Sequence, residues 1–292
     1  MNVSYIGLGA MGYPMAGHIA RHFSTGVWNR TAAKADAHAA EHGSRVLGSV
    51  REAAEADLLI TCLPTSLEVE ALLPEVLSGA RAGLIWMDCT SGDPVASQRI
   101  AAKLAEHGVR FLDAPLSGGT AGAQAGRMSV MVGGSEELLA QVRPVLQTCA
   151  STIVRVGDVG AGHAVKAINN MLLAVNLWAA GEGLAALAAT GGIDLRAALE
   201  VINASSGRSN VTENLIPQRV LTREFPATFA LGLLAKDAGI ALDLSRAAGC
   251  ASPAFALIES LYRAAKREVG AEVDHTAVVR YIERLAGTEV RA

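Results

Sequence analysis

The sequence predicts an α/β fold: a doubly wound, mainly parallel sheet in the N-terminal half, followed by an all-helical C-terminal domain. Three observations predict it. Short apolar runs alternate with alanine- and glutamate-rich segments of helical spacing as far as about Val156. A glycine cluster directly follows the first apolar run and opens the first helix. After "VGDVGAGHAVK" the strand signal stops, and the rest reads as helices broken by "TGGID", "NASSGRSN" and "REFPATF". Strands alternating with helices require parallel pairing and a cover of helices on both faces. The expected domains are therefore 1–160 and 161–292, joined near Asp158 to Gly162.

In order, the strand candidates are "VSYIGL", "TGVWNR", "ADLLITCLP", "AGLIWMDCT", "VRFLDAP", "MSVMVGG" and "STIVRVG". Between them, "AAKADAHAAEHG" and "ASQRIAAKLAEHG" carry the helical period. The 292 residues suffice for two cores, and a 51% hydrophobic composition argues against disorder. Net charge is −3 with no run of Lys and Arg, which argues against a nucleic-acid or membrane-surface partner.

Cys62, Cys89, Cys149 and Cys250 form no CxxC pair and read as small buried hydrophobes in a reducing compartment. With no secretory leader at the start of the sequence, the expected location is the cytoplasm. The apolar stretch Asn170 to Thr190 is interrupted by Asn176 and Glu182, and is expected to be a helix buried on all sides rather than a membrane span.

Gly7-Leu8-Gly9-Ala10-Met11-Gly12 fits G-x-G-x-x-G in the required context, after a strand and into a helix. Gly7 permits the tight turn, Gly9 lets a pyrophosphate approach the backbone, and Gly12 lets the helix pack on the strand. The N-terminal half thus reads as a Rossmann-type dinucleotide-binding domain. At the end of the second strand an NAD site places Asp or Glu for the ribose hydroxyl, but here the chain reads Asn29-Arg30-Thr31. A carboxylate about 4 Å from a 2′-phosphate would be repelled by about 4 kcal/mol per charge at an effective dielectric of 20. Arg30 reverses that sign, Asn29 and Thr31 add neutral donors, and Lys34 adds charge one helical step on. The loop is therefore expected to select NADP.

Three later stretches are unusual for packing alone. Ser117-Gly118-Gly119, at a strand end, offers a hydroxyl and backbone N–H groups suited to a carboxylate. In "GAGHAVKAINN", Lys166, Asn169 and Asn170 can share one helix face, and a lysine on so apolar a helix needs water, a partner or a ligand. Lys236-Asp237 interrupts another apolar helix, as a ligand contact or as a local ion pair. His18/His22 and His38/His42 have helical metal-ligand spacing but no third ligand, so no metal is expected. No histidine is placed to activate Cys62 or Cys89 as a nucleophile.

With these motifs in order ("GLGAMGYPMA", "DAPLSGGTAGAQAG", "GAGHAVKAINN" and "KDAGIALD"), the whole chain resembles the β-hydroxyacid dehydrogenase family, and within it the 3-hydroxyisobutyrate dehydrogenases. The "NRT" triplet resembles the NADP-using members. The resemblance implies that Gly7, Leu8, Gly9, Ala10, Met11 and Gly12 hold the pyrophosphate, with Asn29, Arg30, Thr31 and Lys34 at the 2′-phosphate. It places Leu63, Pro64 and Ser91 along the adenosine and nicotinamide path. Ser117, Gly118 and Gly119 would bind the substrate carboxylate, Lys166 would be catalytic and Asn170 would orient the substrate. Lys236 would close on the cofactor and substrate from the helical domain, where Phe229 helps shape the pocket.

Relatives acting on 6-phosphogluconate carry a glutamate seven residues after the lysine, where this chain has Leu173. Imine reductases on the same scaffold usually replace the lysine, which is present here. Cys89-Thr90-Ser91 stands where many relatives read Ser-Thr.

The implied reaction is reversible oxidation of a small 3-hydroxy acid by NADP, with 3-hydroxyisobutyrate and methylmalonate semialdehyde as the expected pair. An NADPH-dependent glyoxylate or succinic semialdehyde reductase would use the same residues. A non-catalytic NADP-binding sensor would be expected to have lost the lysine or the SGG loop. In the family the helical domain also mediates homodimers or homotetramers.

Overall fold

The structure, a computed structural model, describes residues 1–292 as two compact units, Met1–Lys166 and Ala167–Ala292. The first contains β1 (Val3–Ile6), α1 (Gly12–Ala20), β2 (Thr25–Trp28), α2 (Ala32–His42), β3 (Arg45–Val46), α3 (Val50–Ala53) and β4 (Leu58–Thr61). It continues with α4 (Ser66–Ala71), α5 (Leu73–Gly79), β5 (Ile85–Asp88), α6 (Pro94–Ala105), β6 (Arg110–Asp113) and β7 (Leu116–Ser117). Then follow α7 (Gly119–Gln124), β8 (Met128–Gly133), α8 (Glu136–Leu146) and β9 (Ala150–Gly157). All seven strand candidates form strands. The two-residue strands β3 and β7 are too short to show a period in the sequence.

The sheet runs β3-β2-β1-β4-β5-β6-β8-β7, with β9 also paired to β8. Pairing is parallel from β3 to β6, antiparallel where β8 meets β6 and β7, and parallel again between β8 and β9. The central strands β1, β4, β5 and β6 each feed two cores by their period of two. Tyr5, Ile60, Met87 and Leu112 enter one cluster, while Ile6, Leu59, Trp86 and Phe111 enter the cluster on the opposite face. Strand order reverses between β1 and β4, and ligands of such sheets bind at the carboxyl ends of strands beside that point. There the register aligns Thr61 with Asp88, and Asp88 with Asp113. Three buried polar residues thus form one row across the sheet end.

The second unit is helical. The long helix α9 (Ala161–Thr190) leads into it, followed by α10 (Leu195–Asn203), a π-helical stretch (Val211–Val220), α11 (Leu231–Ala247), α12 (Pro253–Val269) and α13 (Val278–Ala286). Met171, Leu177 and Trp178 of α9 pack with Leu234, Tyr262 and Val279 in its core. Pro217 lies within the π-helical stretch, where Leu221 N donates to Ile216 O, five residues back.

Two expectations need correction. Helix α9 is long and apolar enough to cross a membrane, but only 39% of its most apolar window is buried, so it is not covered on all sides. Val165, Leu172 and Ala179, seven residues apart, are exposed because the helix has more apolar faces than its neighbours cover. Cys250 is also exposed, since it follows the turn that ends α11 instead of sitting in a core.

Candidate functional site

The glycine loop separates packing from ligand binding. Gly7 has φ +101°, and a Cβ there would lie 2.3 Å from the Cys62 carbonyl oxygen. A Cβ on Gly12 would lie 2.0 Å from the Gly7 oxygen. The fold therefore requires both glycines. Gly9 has nothing within 4 Å of its would-be Cβ, so packing does not account for its lack of a side chain. Close approach by a dinucleotide pyrophosphate does. Helix α1 starts beside it with no side-chain cap and no acid in its first turn, leaving N–H groups for an anion.

The loop after β2 is wired to the glycine loop. Asn29 Oδ1 accepts from Leu8 N at 2.9 Å, and its Nδ2 donates to Thr31 O at 3.0 Å. Asn29 thus shapes both loops through its own amide. Arg30, Thr31 and Lys34 are exposed, and helix α2 has no acid in its first turn. The residues present fit a dinucleotide cofactor, with the glycine loop open to its pyrophosphate and the Arg30 segment carrying no carboxylate beside it.

On the nicotinamide side of the resemblance, Leu63 N donates to Thr90 Oγ1 at 3.1 Å, which ties the Leu63-Pro64 turn to the loop carrying half-buried Ser91. Asp88 Oδ1 holds that loop by accepting from Thr90 N at 3.1 Å and Thr61 Oγ1 at 2.8 Å. Ser117 ends β7, and Gly118 and Gly119 follow at φ +139° and +62°, conformations that favour glycine. A Cβ on Gly119 would meet nothing within 4 Å, so its backbone is open to a ligand.

Lys166 is held by the start of α9. Asp113 accepts from Gly160 N at 2.7 Å and His163 N at 2.8 Å, capping the helix from the end of β6. Burial pushes the Asp113 carboxyl above its usual range, against the pull of His163 and these N–H groups. A Cβ on Gly162 would lie 2.4 Å from Met131 O, and one on Gly133 would lie 2.4 Å from Asp113 Oδ1, so both glycines let the helix end seat on the strands. Lys166 is 9% exposed and Asn170, one turn further, 3%. Asn169 does not share that buried face. It is exposed and donates to Asn170 Oδ1 at 3.1 Å.

Within the helical unit, Asn170 Nδ2 donates to Asp237 Oδ2 at 2.6 Å, and Lys236 Nζ lies 3.0 Å from Asp237 Oδ1. The Lys236–Asp237 ion pair is real, and its carboxylate also holds Asn170. Phe229 is half-buried with its ring 5.5 Å from that of His275, and its backbone N donates to Asp274 at 3.3 Å.

Asp88 and Asp113 are site-building residues that the motifs alone do not single out, whereas Asp237 stands beside Lys236 as one of the two alternatives the sequence offers. The available signal for the first two is a carboxylate at the end of an apolar strand, β5 for Asp88 and β6 for Asp113.

One histidine of each pair has hydrogen-bond partners. His18 Nε2 lies 3.0 Å from Gln124 O; His38 sits between Ser44 Oγ and Tyr13 O. Burial, aided by His42, lowers the His38 pKa to about 4. Burial pushes the Cys62 thiol up to about 12, and Cys89 is raised well above its ordinary value by burial and by Cys62, so neither is a ready thiolate.

Comparison with known proteins agrees with this construction. Residues 2–157 match the NAD-binding domain of 6-phosphogluconate dehydrogenase, and residues 160–282 match the family described as NAD-binding of NADP-dependent 3-hydroxyisobutyrate dehydrogenase. The chain is 33% identical to 2-(hydroxymethyl)glutarate dehydrogenase of Eubacterium barkeri, over 99% of this chain and 97% of that one. It is 32% identical to NAD-dependent L-serine dehydrogenase of Pseudomonas aeruginosa, over 98% and 99%. The structure of Mycobacterium tuberculosis 3-hydroxyisobutyrate dehydrogenase with L-serine superposes with a TM-score of 0.88 at 32% identity, covering 96% of this chain and 98% of that one.

Fold and site together define an oxidoreductase built on a nicotinamide-cofactor domain. The chain belongs to the 3-hydroxyacid dehydrogenase family that includes the 3-hydroxyisobutyrate dehydrogenases.

Proposed function

We propose that the protein is an NADP-dependent 3-hydroxyisobutyrate dehydrogenase, interconverting the acid with methylmalonate semialdehyde. The substrates named for its relatives share one skeleton. 2-(Hydroxymethyl)glutarate, 3-hydroxyisobutyrate and L-serine are each a hydroxymethyl group on a carbon bearing a carboxylate, and differ only in the third substituent. This skeleton is the observation that carries the substrate class. A methyl third substituent suits valine breakdown as the metabolic context.

The cofactor preference rests on Arg30, Thr31 and, in the first turn of α2, Lys34, all exposed, with no carboxylate where an NAD site places one. The name of the serine dehydrogenase relative specifies NAD, so this preference is argued from the residues of this chain.

Bound cofactor supplies the hydride acceptor. Ser117 Oγ and the backbone N–H groups of Gly118 and Gly119 receive the substrate carboxylate. Asn170 orients the hydroxyl. Lys166 takes the hydroxyl proton during oxidation, and in reduction its ammonium polarises the carbonyl and returns that proton. Within the helical unit Asp237 pairs with Lys236 and offsets its charge.

We also infer a homodimer or homotetramer formed through the helical domain. The exposed Val165, Leu172, Ala179 and Ala186 recur every seven residues along α9, as in a helix–helix seam. A cytoplasmic location accords with this reading.

The test is a rate panel with purified protein. NADP is offered with 3-hydroxyisobutyrate, L-serine, 2-(hydroxymethyl)glutarate and 3-hydroxypropionate, and NADPH with glyoxylate and succinic semialdehyde. A lead for 3-hydroxyisobutyrate in kcat/KM supports the proposal. Dominance of the aldehydes by orders of magnitude makes the chain a semialdehyde reductase instead. One methyl group discriminates by only about 1–3 kcal/mol, so partial activity on neighbouring acids is expected.

A further inference from the structure

His163 is fully buried one turn before Lys166, and the reading above gives it no task. Its Nδ1 lies 2.6 Å from Ser97 Oγ, which donates in turn to Asp93 O at 3.1 Å. Its ring edge presses on the loop between β5 and α6: a Cβ on Gly92 would lie 2.7 Å from His163 Cε1. The other nitrogen, Nε2, has no hydrogen-bond partner and stands 3.9 Å from Asp88 Oδ2.

A residue chosen for stability alone would not look like this. A buried nitrogen without a partner costs stability, and an apolar side chain would fill the space without that cost. The contacts of the imidazole have a common feature. Ser97, Gly92 and Asp88 all belong to the segment that carries Ser91, and Asp88 holds that segment through Thr90 N. Thr90 in turn holds Leu63 N, so the Leu63-Pro64 turn is part of the same assembly. On its own helix His163 is bound through its backbone N to Asp113. One ring therefore bears on both the nicotinamide-side loop and the first turn of the helix that presents Lys166.

We propose that His163 is a positioning residue for the hydride-transfer step, setting the register of Lys166 against the loop bearing Ser91. The proposal rests on the roles given above to Lys166 and Ser91. The Ser97 contact and the Gly92 contact fix the ring, and the Asp88 carboxylate faces its remaining nitrogen. Misplacing a reacting group by about 1 Å can cost about a hundredfold in rate, which sets the scale of the expected effect.

The experiment compares His163→Leu, His163→Gln and Ser97→Ala with the parent enzyme, using ordinary and carbon-deuterated substrate. His163→Leu is expected to lower kcat about ten- to a hundredfold, with both KM values within about twofold, and to raise the deuterium isotope effect as hydride transfer becomes limiting. His163→Gln, which keeps a hydrogen-bonding group toward Ser97, should recover most of kcat. Ser97→Ala should show a smaller loss of the same kind, and it keeps the proposal testable if the leucine variant does not fold.

A folded leucine variant with kcat within about twofold of the parent overturns the proposal. So does a kcat loss that the glutamine variant shares in full, or an unchanged isotope effect alongside reduced thermal stability. Full turnover by Lys166→Ala would instead remove the reading on which the proposal rests, and is measured in parallel so that the two failures are told apart.

Discussion

The Asn170 carboxamide donates to the Asp237 carboxylate at 2.6 Å, and Asp237, 2% exposed, also takes Lys236 at 3.0 Å. A carboxylate only accepts, so this contact decides which end of the Asn170 amide is nitrogen. With Asn169 donating to Oδ1, both ends of that amide are oriented before any substrate arrives. Asp237→Asn removes the acceptor-only partner and the charge opposite Lys236. The expected loss in kcat/KM for the hydroxy acid is about ten- to a hundredfold, with the cofactor KM unchanged. In the double variant with Asn170→Ala the loss should not exceed that of Asn170→Ala alone. Additive losses would assign Asp237 to the fold only.

Lys166→Ala should lower kcat by about a hundred- to ten-thousandfold, the usual worth of a positioned acid–base group, while the protein still binds NADP. Fluorescence titration with NADPH reads the binding. Loss of binding together with turnover would make Lys166 structural.

Arg30→Ala tests the cofactor preference. A charge-assisted contact to a phosphate is worth about 1.5–3 kcal/mol, so kcat/KM for NADP should fall about ten- to a hundredfold while that for NAD hardly moves. Equal effects on the two cofactors would show that Arg30 does not read the 2′-phosphate.

The glycine loop offers a paired test. Gly9→Ala has open space for its methyl and should leave stability within about 0.5 kcal/mol of the parent while weakening cofactor binding. Gly12→Ala would place its Cβ 2.0 Å from Gly7 O, and should cost about 1–3 kcal/mol in stability even without cofactor. Thermal melts with and without NADP separate the two. A Gly9→Ala variant that binds normally would leave that glycine unexplained.

Asp274 sets an acid limit on the helical unit. It accepts from Thr228 N and Oγ1, Phe229 N, and Thr276 N and Oγ1, with Arg219 at 3.5 Å. Burial opposes its charge, but His275 and Thr276 outweigh burial and hold the carboxyl well below the usual range. A folded-state pKa below the unfolded value gives stability that is full above about pH 4 and is lost as the pH falls toward the folded pKa. Asp274→Asn should therefore cost about 3–5 kcal/mol near neutrality, and the gap to the parent should narrow below about pH 4. Urea melts across pH measure it, and a gap that stays constant with pH would deny the carboxylate this role.

Much of the fold was legible because its evidence is local. Tyr5 and Ile60 alternate with partners of opposite face, and that period of two survives in any strand. Gly7, Gly9 and Gly12 lie within six residues, so their motif is visible without a fold. The roles of Arg30 and Ser117 follow from their places at strand ends and those of Lys166 and Asn170 from motif resemblance, while the structure adds the Asp113 cap before Lys166 and the Asp237 partner of Asn170. The exposed face of α9 was not legible, because an apolar helix reads the same whether neighbours cover it on every side or on only some.

By itself the sequence determined the seven longer strands and the alternation of helices between them, the glycine loop, the basic turn after β2 and the helix that bears Lys166. Each depends on residues within a few positions of one another, where backbone period and turn chemistry act. Only the tertiary structure decided that Thr61, Asp88 and Asp113 share a row, that Asn29 braces Leu8, and that Asp237 orients Asn170. Those contacts join residues 21 to 67 positions apart. They depend on strand register and helix packing, which the hydrophobic core sets by summing many weak contacts, and no local pattern carries that sum.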